Sequence, residues 1–289
     1  MLRSSAVPIF VRSSGGSFCM NGDIDTEHLD RRMVRQHFSS HAAEYDRYAR
    51  VQKTVVNRLV ELMAQQSQPP SGLGLEVGCG TGMLSRAFGQ TFPQAHLVLS
   101  DVAHGMSLHC QKLFPQAMIC DADAGALPFV DDCFDFLIST SVYQWVEDLN
   151  GAFAEIERVL RPGGQVALAL FGDRTLFELR NSHRQALDRG LSHGQSFPAQ
   201  DDLRCGIAGT LTIEQLFSEN ETEWHPDVPT LLRNLKKIGA QNASAHRPPG
   251  LASRRVMQRM YRCYEQEYGQ DGQIPATYQV IYLLARKPG

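Results

Sequence analysis

A chain of 289 residues is long for one domain and short for two ordinary ones, so a single domain carrying insertions fits best. Hydrophobic residues at 43% and charged residues at 20% suit a chain with a sizeable core, and no apolar run approaches the roughly 18 to 20 residues that span a bilayer. A net charge of −3 argues against a nucleic-acid partner, and no membrane partner is expected. That total hides an asymmetry: residues 1–160 hold 12 Lys and Arg against 18 Asp and Glu, whereas residues 228–289 hold 10 against 3, a net of +7. Such a basic segment is either a solvated face or a docking surface for an acidic partner. The seven cysteines are scattered without CxxC or Cys/His ligand spacing, so a reducing cytoplasm and no structural metal are expected.

The first 22 residues carry Arg3 and Arg12, many Ser and Gly and no acid, and their longest apolar run, Ala6 to Val11, is too short for a secretory segment. Residues 1–25 are expected to form a disordered tail, or to precede a true start at Met20 or Met33. Residues 26–289 are read as one domain. Residues 26–66 predict helices broken near Ser39-Ser40, with Val55, Val56, Leu59, Val60, Leu62 and Met63 on one apolar face. Gln68-Pro69-Pro70-Ser71-Gly72 ends that segment. Short apolar strands follow at Leu73 to Val77, His96 to Ser100, Ala117 to Cys120, Phe134 to Ser139 and Gln165 to Phe171. Helices are expected from about Thr81, around Met106 to Phe114 and from Ala152 to Leu160. Strands separated by helices mean βαβ crossovers, hence an α/β, doubly wound, mostly parallel sheet. Past the fifth strand the pattern lapses. Leu176, Leu179 and Leu187 carry helical signal, and Thr212 with Gln215 forms a capping-box pattern ahead of Leu216 and Phe217. A further helix with Leu231, Leu232, Leu235 and Ile238 stops at Gly239, residues 252–268 read as helix, and Tyr278 to Ala285 as a final strand. Residues 172–210 and parts of 228–268 are read as a substrate- or partner-side insertion.

Chemistry concentrates in Glu76-Val77-Gly78-Cys79-Gly80-Thr81-Gly82, between the first strand and its helix. Glycines there let the backbone turn tightly and approach a ligand, and the following helix offers free N–H groups. The same glycines also suit a tight βα turn that binds nothing. Asp101 closes the second strand, where an acid accepts hydrogen bonds from ribose hydroxyls. Asp123 follows the third strand, where it either accepts from an adenine amino group or caps a helix.

These residues resemble the class I S-adenosylmethionine-dependent methyltransferases. The phrase EVGCGTG matches their first motif, Asp101 their ribose acid, Asp123 in DAGALPF their adenine-side acid, and RVLRPGG (Arg158 to Gly164) the turn before their fifth strand. More narrowly, HFSSHAAEYDRYARVQ (His37 to Gln52), STSVYQWVED (Ser139 to Asp148), LLRNLKKIGA (Leu231 to Ala240) and IPATYQVIYLLARK (Ile274 to Lys287) resemble the malonyl-acyl carrier protein O-methyltransferases of biotin synthesis. The chain departs from them in its extra N-terminal 20 residues and in Thr140, where Asn is expected.

The resemblance implies a seven-stranded Rossmann-like sheet with N-terminal helices and a helical insertion after the fifth strand. It implies that Glu76, Gly78, Cys79, Gly80, Gly82, Asp101, Asp123, Ala124, Ser139 and Gln52 hold S-adenosyl-L-methionine, released as S-adenosyl-L-homocysteine. Tyr45, Gln144 and Trp145 are expected to position substrate, and Tyr143 either joins them or packs in the core. The implied reaction methylates the free carboxylate of malonyl-acyl carrier protein, which primes pimelate formation. A carboxylate is already ionised at pH 7, so no general base and no metal is expected. His37, His41, His104 and His109 are accordingly read as surface or packing residues. Arg174, Arg180 and Arg184 are candidate forks for the substrate carboxylate. The alternative reading is a methyltransferase of a free small molecule, a quinone-type ring or a fatty acid; a non-catalytic cofactor-binding module is a third.

Overall fold

The computed structural model of the chain describes residues 47–187, 197–237 and 254–289. The expected tail, the helical reading of residues 26–46 and the stop at Gly239 lie outside the described residues.

Helix α1 (Arg50–Ala64) buries Val51, Val55, Val56, Leu59, Val60, Leu62 and Met63, the helical stripe visible in the sequence. Five strands then follow with three helices between them, β3 passing to β4 without one: β1 (Leu73–Val77), α2 (Met83–Thr91), β2 (His96–Asp101), α3 (His104–Leu113), β3 (Met118–Asp121), β4 (Phe134–Thr140), α4 (Leu149–Val159) and β5 (Leu160–Phe171). After β5 come α5 (Phe177–Ala186), α6 (Gln200–Ile207), β6 (Thr212–His225), α7 (Val228–Lys237), α8 (Arg254–Tyr268) and β7 (Ile274–Arg286).

The strands form one seven-stranded sheet in the order β3-β2-β1-β4-β5-β7-β6. β1 to β5 are parallel, while β7 runs antiparallel to β5 and β6 antiparallel to β7. Helices cover both faces. One face buries α1 valines with Phe88, Leu231, Met260 and Tyr264, and the other buries Phe153, Ile156, Leu203 and Ile207. The doubly wound, mostly parallel architecture is the one the βα alternation predicts.

One expectation is overturned. The Thr212/Gln215 capping pattern predicts a helix, yet residues 212–225 form the 14-residue edge strand β6. A bulge between Ile213 and Gln215 shifts its register. Beyond it Phe217, Glu219, Glu221, Glu223 and His225 share the more buried side, so the buried side carries acids and the usual apolar alternation is missing. Glu219 is satisfied there by Arg58 of α1, whose Nη2 donates to its Oε1 at 2.8 Å. Pairing with β7 along the whole strand outweighs the local helix signal.

The RVLRPGG phrase has a structural role of its own. Arg158, near the end of α4, donates in fork geometry to Glu155 (2.7 and 2.8 Å), to Asp131 (2.8 Å), and to the carbonyls of Phe129 (2.7 Å) and Leu127 (2.9 Å). Glu155 in turn accepts the Leu127 N–H at 2.8 Å. One guanidinium thereby pins the β3–β4 connection, which carries Asp123 and Ala124. Loss of these bonds in Arg158→Ala should lower stability by about 2–4 kcal/mol. Arg158→Lys should recover only part of it, because an ammonium lacks the planar fork. Denaturant titration of both variants checks this; equal stability of Arg158→Ala and the unmodified protein would contradict it.

Candidate active site

The parallel strands β1, β2 and β4 end at one rim of the sheet, and a cavity of about 630 Å³ opens there. Its wall includes Glu76, Gly78, Cys79, Gly80, Asp101, Asp123, Ala124 and Trp145, with Gln52 and Val56 contributed by α1. Most of the sequence-predicted constellation therefore converges on a single space.

Backbone hydrogen bonds fix the glycine loop. Gly78 and Cys79 both donate their N–H to the Ser100 carbonyl, at 2.7 and 2.8 Å, which ties the end of β1 to the end of β2. Gly80 then donates its N–H to Asp101 Oδ2 at 2.9 Å, and Ala103 donates to Oδ1 at 2.8 Å. The glycines do different work. Gly78 has φ +75°, and a Cβ there would meet Val142 Cγ2 at 2.1 Å, so the residue lets β4's end approach. Gly80 has φ +53°, and a Cβ would find nothing within 4 Å. Gly82, at the start of α2, makes room for Phe114 and does not reach the cavity wall.

Two buried carboxyls define the electrostatics. Asp101 is 8% exposed, and burial lifts its carboxyl to about 6 against the pull of the Ala103 and Gly80 amides. Glu76 is 1% exposed, and burial pushes its carboxyl well above the usual range although Ser85 donates to Oε2 at 2.6 Å. The other oxygen, Oε1, is buried without a partner. An unpartnered carboxylate oxygen on a cavity wall fits a cationic ligand group.

Other predicted residues divide. Asp123 lines the cavity, and its Oδ1 accepts the Gly125 N–H at 3.0 Å, so it caps a turn and not a helix. Ala124, Gln52 and Trp145 lie on the wall. Ser139 does not: its hydroxyl donates to the Val77 carbonyl at 2.6 Å and clamps β4 to β1. Gln144 is also off the wall, buried in the short 3-10 turn Tyr143–Trp145 with Oε1 unpartnered. Tyr143 is core, stacked on Phe153 with ring centroids 6.2 Å apart. His104 and His109 lie off the cavity wall, and the former pairs with Asp121 at 2.7 Å. Tyr45, His37 and His41 lie outside the described residues.

Thr140, marked in the sequence as a departure from its relatives, lines the cavity, and so does Ser141, which sequence reasoning missed. Ser141 holds φ +58°, uncommon for a residue with a side chain, and its hydroxyl is buried without a partner. Its only sequence signal is its place directly after a parallel strand. Among the described residues no group of three or more His, Cys, Asp or Glu could hold a metal ion, and no helix is long and apolar enough to cross a membrane.

Comparison with known proteins agrees with this geometry. A family profile described as "Methyltransferase domain" matches residues 75–168. In fold, the chain resembles a solved Bacillus halodurans C-125 protein assigned to the methyltransferases, with a TM-score of 0.58 and 16% identity over 81% of this chain and 99% of that one. YcgJ of Bacillus subtilis gives 0.55 and 14% over 82% and 99%. The chain thus carries a methyltransferase domain on the fold of those two proteins, a class of domain that uses S-adenosylmethionine. A malonyl-[acyl-carrier protein] O-methyltransferase of Geobacter sulfurreducens is 41% identical over 90% of this chain and 100% of its own length. A second, from Halorhodospira halophila, is 33% identical over 89% and 88%. The chain belongs to the malonyl-[acyl-carrier protein] O-methyltransferase family.

The residues present fit the cofactor of that class. Gly80 would leave the space a ligand needs, Asp101 would offer a clamped acceptor to ribose hydroxyls, and Glu76 Oε1 would offer an unpartnered carboxyl oxygen to the methionyl ammonium. Bound, S-adenosylmethionine supplies an electrophilic methyl group on a sulfonium.

Two expectations follow. Asp101→Ala should weaken cofactor binding by about 2–4 kcal/mol, the cost of two charge-assisted hydrogen bonds. Gly80→Val should abolish binding, because its side chain starts into the open ligand space and a β-branched residue is strained at the φ of +53° held there. Calorimetric titration reads both, and unchanged affinity in either variant would contradict the assigned role. The pH dependence has a definite sign. As pH falls through about 6, Asp101 takes a proton that bound cofactor must displace. Affinity should therefore fall as pH drops below 6, by up to about tenfold per unit, with proton release on binding there. Titration in two buffers of different ionisation heat measures that release; its absence at pH 5.5 would refute the role of the buried carboxyl.

Proposed function

We propose that this protein transfers the methyl group of S-adenosylmethionine to the free carboxylate of a malonyl group carried as a thioester on acyl carrier protein. The product methyl ester would prime pimelate formation in biotin synthesis. The carrying observation is end-to-end similarity to a relative of that name, combined with a cavity whose predicted cofactor residues converge in space. Further relatives are named biotin biosynthesis bifunctional proteins, one of them 33% identical over 89% of this chain and 47% of its own length.

Methyl transfer from a sulfonium is an in-line displacement: the carboxylate oxygen forms a bond to the methyl carbon as the carbon–sulfur bond breaks. The acceptor is already ionised at neutral pH, so the protein's task is to position it and exclude water. Trp145 and Val56 supply apolar wall beside the glycine loop, and Gln52 a polar edge. Tyr45, five residues ahead of α1, is assigned to substrate positioning. Of the three arginines, Arg184 is exposed and bonded to Asn181, and Arg174 is exposed over the Phe177 ring. Arg180 is half-buried, donates to the Asp173 carbonyl after β5, and keeps a buried Nε–H without a partner. None of the three lies on the cavity wall; we assign the substrate carboxylate to Arg180 as the one among them that is half-buried with an uncommitted donor.

Incubation with methyl-labelled S-adenosylmethionine and malonyl-acyl carrier protein, beside a quinone precursor and a fatty acid, tests the reading. Label should enter the malonyl group as a base-labile ester. Label in the ring or the fatty acid alone would overturn it in favour of a free small-molecule acceptor. With saturating substrates, turnover should stay nearly flat from about pH 6 upward. A rate limited by a group titrating near 7 would point to a base and hence to a different acceptor. Arg180→Ala should raise KM for the malonyl substrate by about tenfold or more while leaving cofactor affinity unchanged; loss of cofactor affinity as well would reassign the residue to structure.

A further inference from the structure

Resting on that reading of the substrate, we propose that the N-terminal half of α8, with the adjoining end of α7, is the surface on which the acidic carrier protein docks. α8 is two-faced. Met260 and Tyr264 are buried, Val256, Met257 and Tyr261 pack against the core beside them, and the Tyr264 hydroxyl donates to the Pro275 carbonyl at 2.7 Å. The helix is thus firmly seated on the sheet. Its outward side carries Arg254, Arg255, Arg259 and Arg262, all exposed. Spacings of four and three place 255, 259 and 262 on one stripe. Arg233 and Lys236 are exposed on α7, which packs against α8. The sequence contains no Asp or Glu between Asp227 and Glu265. The acids of α8 lie at its far end, where Glu267 already accepts bonds from Gln185 and Tyr268.

The position of this strip matters as much as its sign. β7 pairs with β5 only from Val280 onward, so residues 274–279 reach past the carboxyl end of β5, the rim that holds the cavity. α8 leads into that overhang, and α7 leaves the matching end of β6. Lys237 ties the region to the site. Its Nζ donates to the Tyr48 hydroxyl at 2.5 Å and lies 4.2 Å from the Tyr48 ring centroid, just ahead of α1, whose Gln52 and Val56 wall the cavity. Lys237 therefore joins α7 to the residue that leads into α1 and is not part of the docking strip, although the sequence places it beside Lys236. A carrier protein held on this strip sits at the rim where its thioester arm must enter. Exposed charges act mainly on the association rate and are screened by salt, so the surface steers more than it grips.

The test is the triple variant Arg255→Glu, Arg259→Glu, Arg262→Glu, assayed on malonyl-acyl carrier protein and on malonyl-coenzyme A. At low salt, kcat/KM for the carrier substrate should fall by about tenfold or more, with malonyl-coenzyme A methylated as by the unmodified protein. Raising salt should close the gap between variant and unmodified protein. A carrier protein with one acidic surface residue reversed to Lys should regain rate with the variant. Equal loss on both substrates, or loss on neither, overturns the proposal. Binding of the carrier protein alone, followed by fluorescence anisotropy, separates this claim from the assigned reaction. An unmodified protein that binds the carrier in a salt-sensitive way but methylates no malonyl group would retract the reaction and keep the surface, whereas methylation without that sensitivity would retract the surface.

Discussion

Everything at the ligand-binding rim depends on how the ends of β1 and β2 are tied together. One carbonyl, that of Ser100, accepts N–H bonds from both Gly78 and Cys79, and one carboxylate, that of Asp101, accepts from Gly80 and Ala103. These four bonds hold the glycine loop open before any ligand arrives. The same carboxylate lies on the cavity wall, so the proposed reading has a single side chain set both loop geometry and ligand recognition. Its desolvation is the cost of that arrangement, visible in the upward displacement of the Asp101 and Glu76 carboxyls.

Around that clamp the fold supplies support from a distance. Arg158 saturates its donors to fix the connection carrying Asp123 and Ala124. Ser139 hooks β4 to β1 through the Val77 carbonyl. Val142 occupies the space that a side chain at position 78 would need. The antiparallel β6–β7 pair then extends the sheet past β5 and brings α7 and α8, which connect the two strands, to the same rim. The basic charge concentrated in the last quarter of the chain is thereby carried to the edge of the cofactor cavity.

The five-strand βα core was legible because each strand is a short apolar run and each helix an amphipathic one, so periodicity and turn residues agree. β6 was not, because its more buried side carries Glu219, Glu221 and Glu223, and Thr212 with Gln215 imitates a helix start. At the site, Gly78, Gly80 and Asp101 were legible because a glycine turn after one strand and an acid closing the next occur together, whereas Gly82 serves packing against Phe114 and its glycine alone could not tell the two uses apart. Residues along β4 were harder. Successive strand residues face opposite sides, so Thr140 reaches the cavity while Ser139 turns to the Val77 carbonyl. In the turn that follows, Trp145 reaches the wall and Gln144 does not, a division that the phrase QW alone cannot give. Nothing in composition marks the positive φ of Ser141.

The account stands on the claim that the cavity at the ends of β1, β2 and β4 receives S-adenosylmethionine by way of Asp101 and Glu76. A crystal structure of the protein with S-adenosyl-L-homocysteine tests it most directly. The account predicts both ribose hydroxyls within hydrogen-bond distance of Asp101, with the Gly80 and Ala103 bonds retained, and the methionyl ammonium beside Glu76 Oε1 or one water from it. A ligand seated elsewhere, or an Asp101 that abandons the loop amides to reach the ribose, would contradict it.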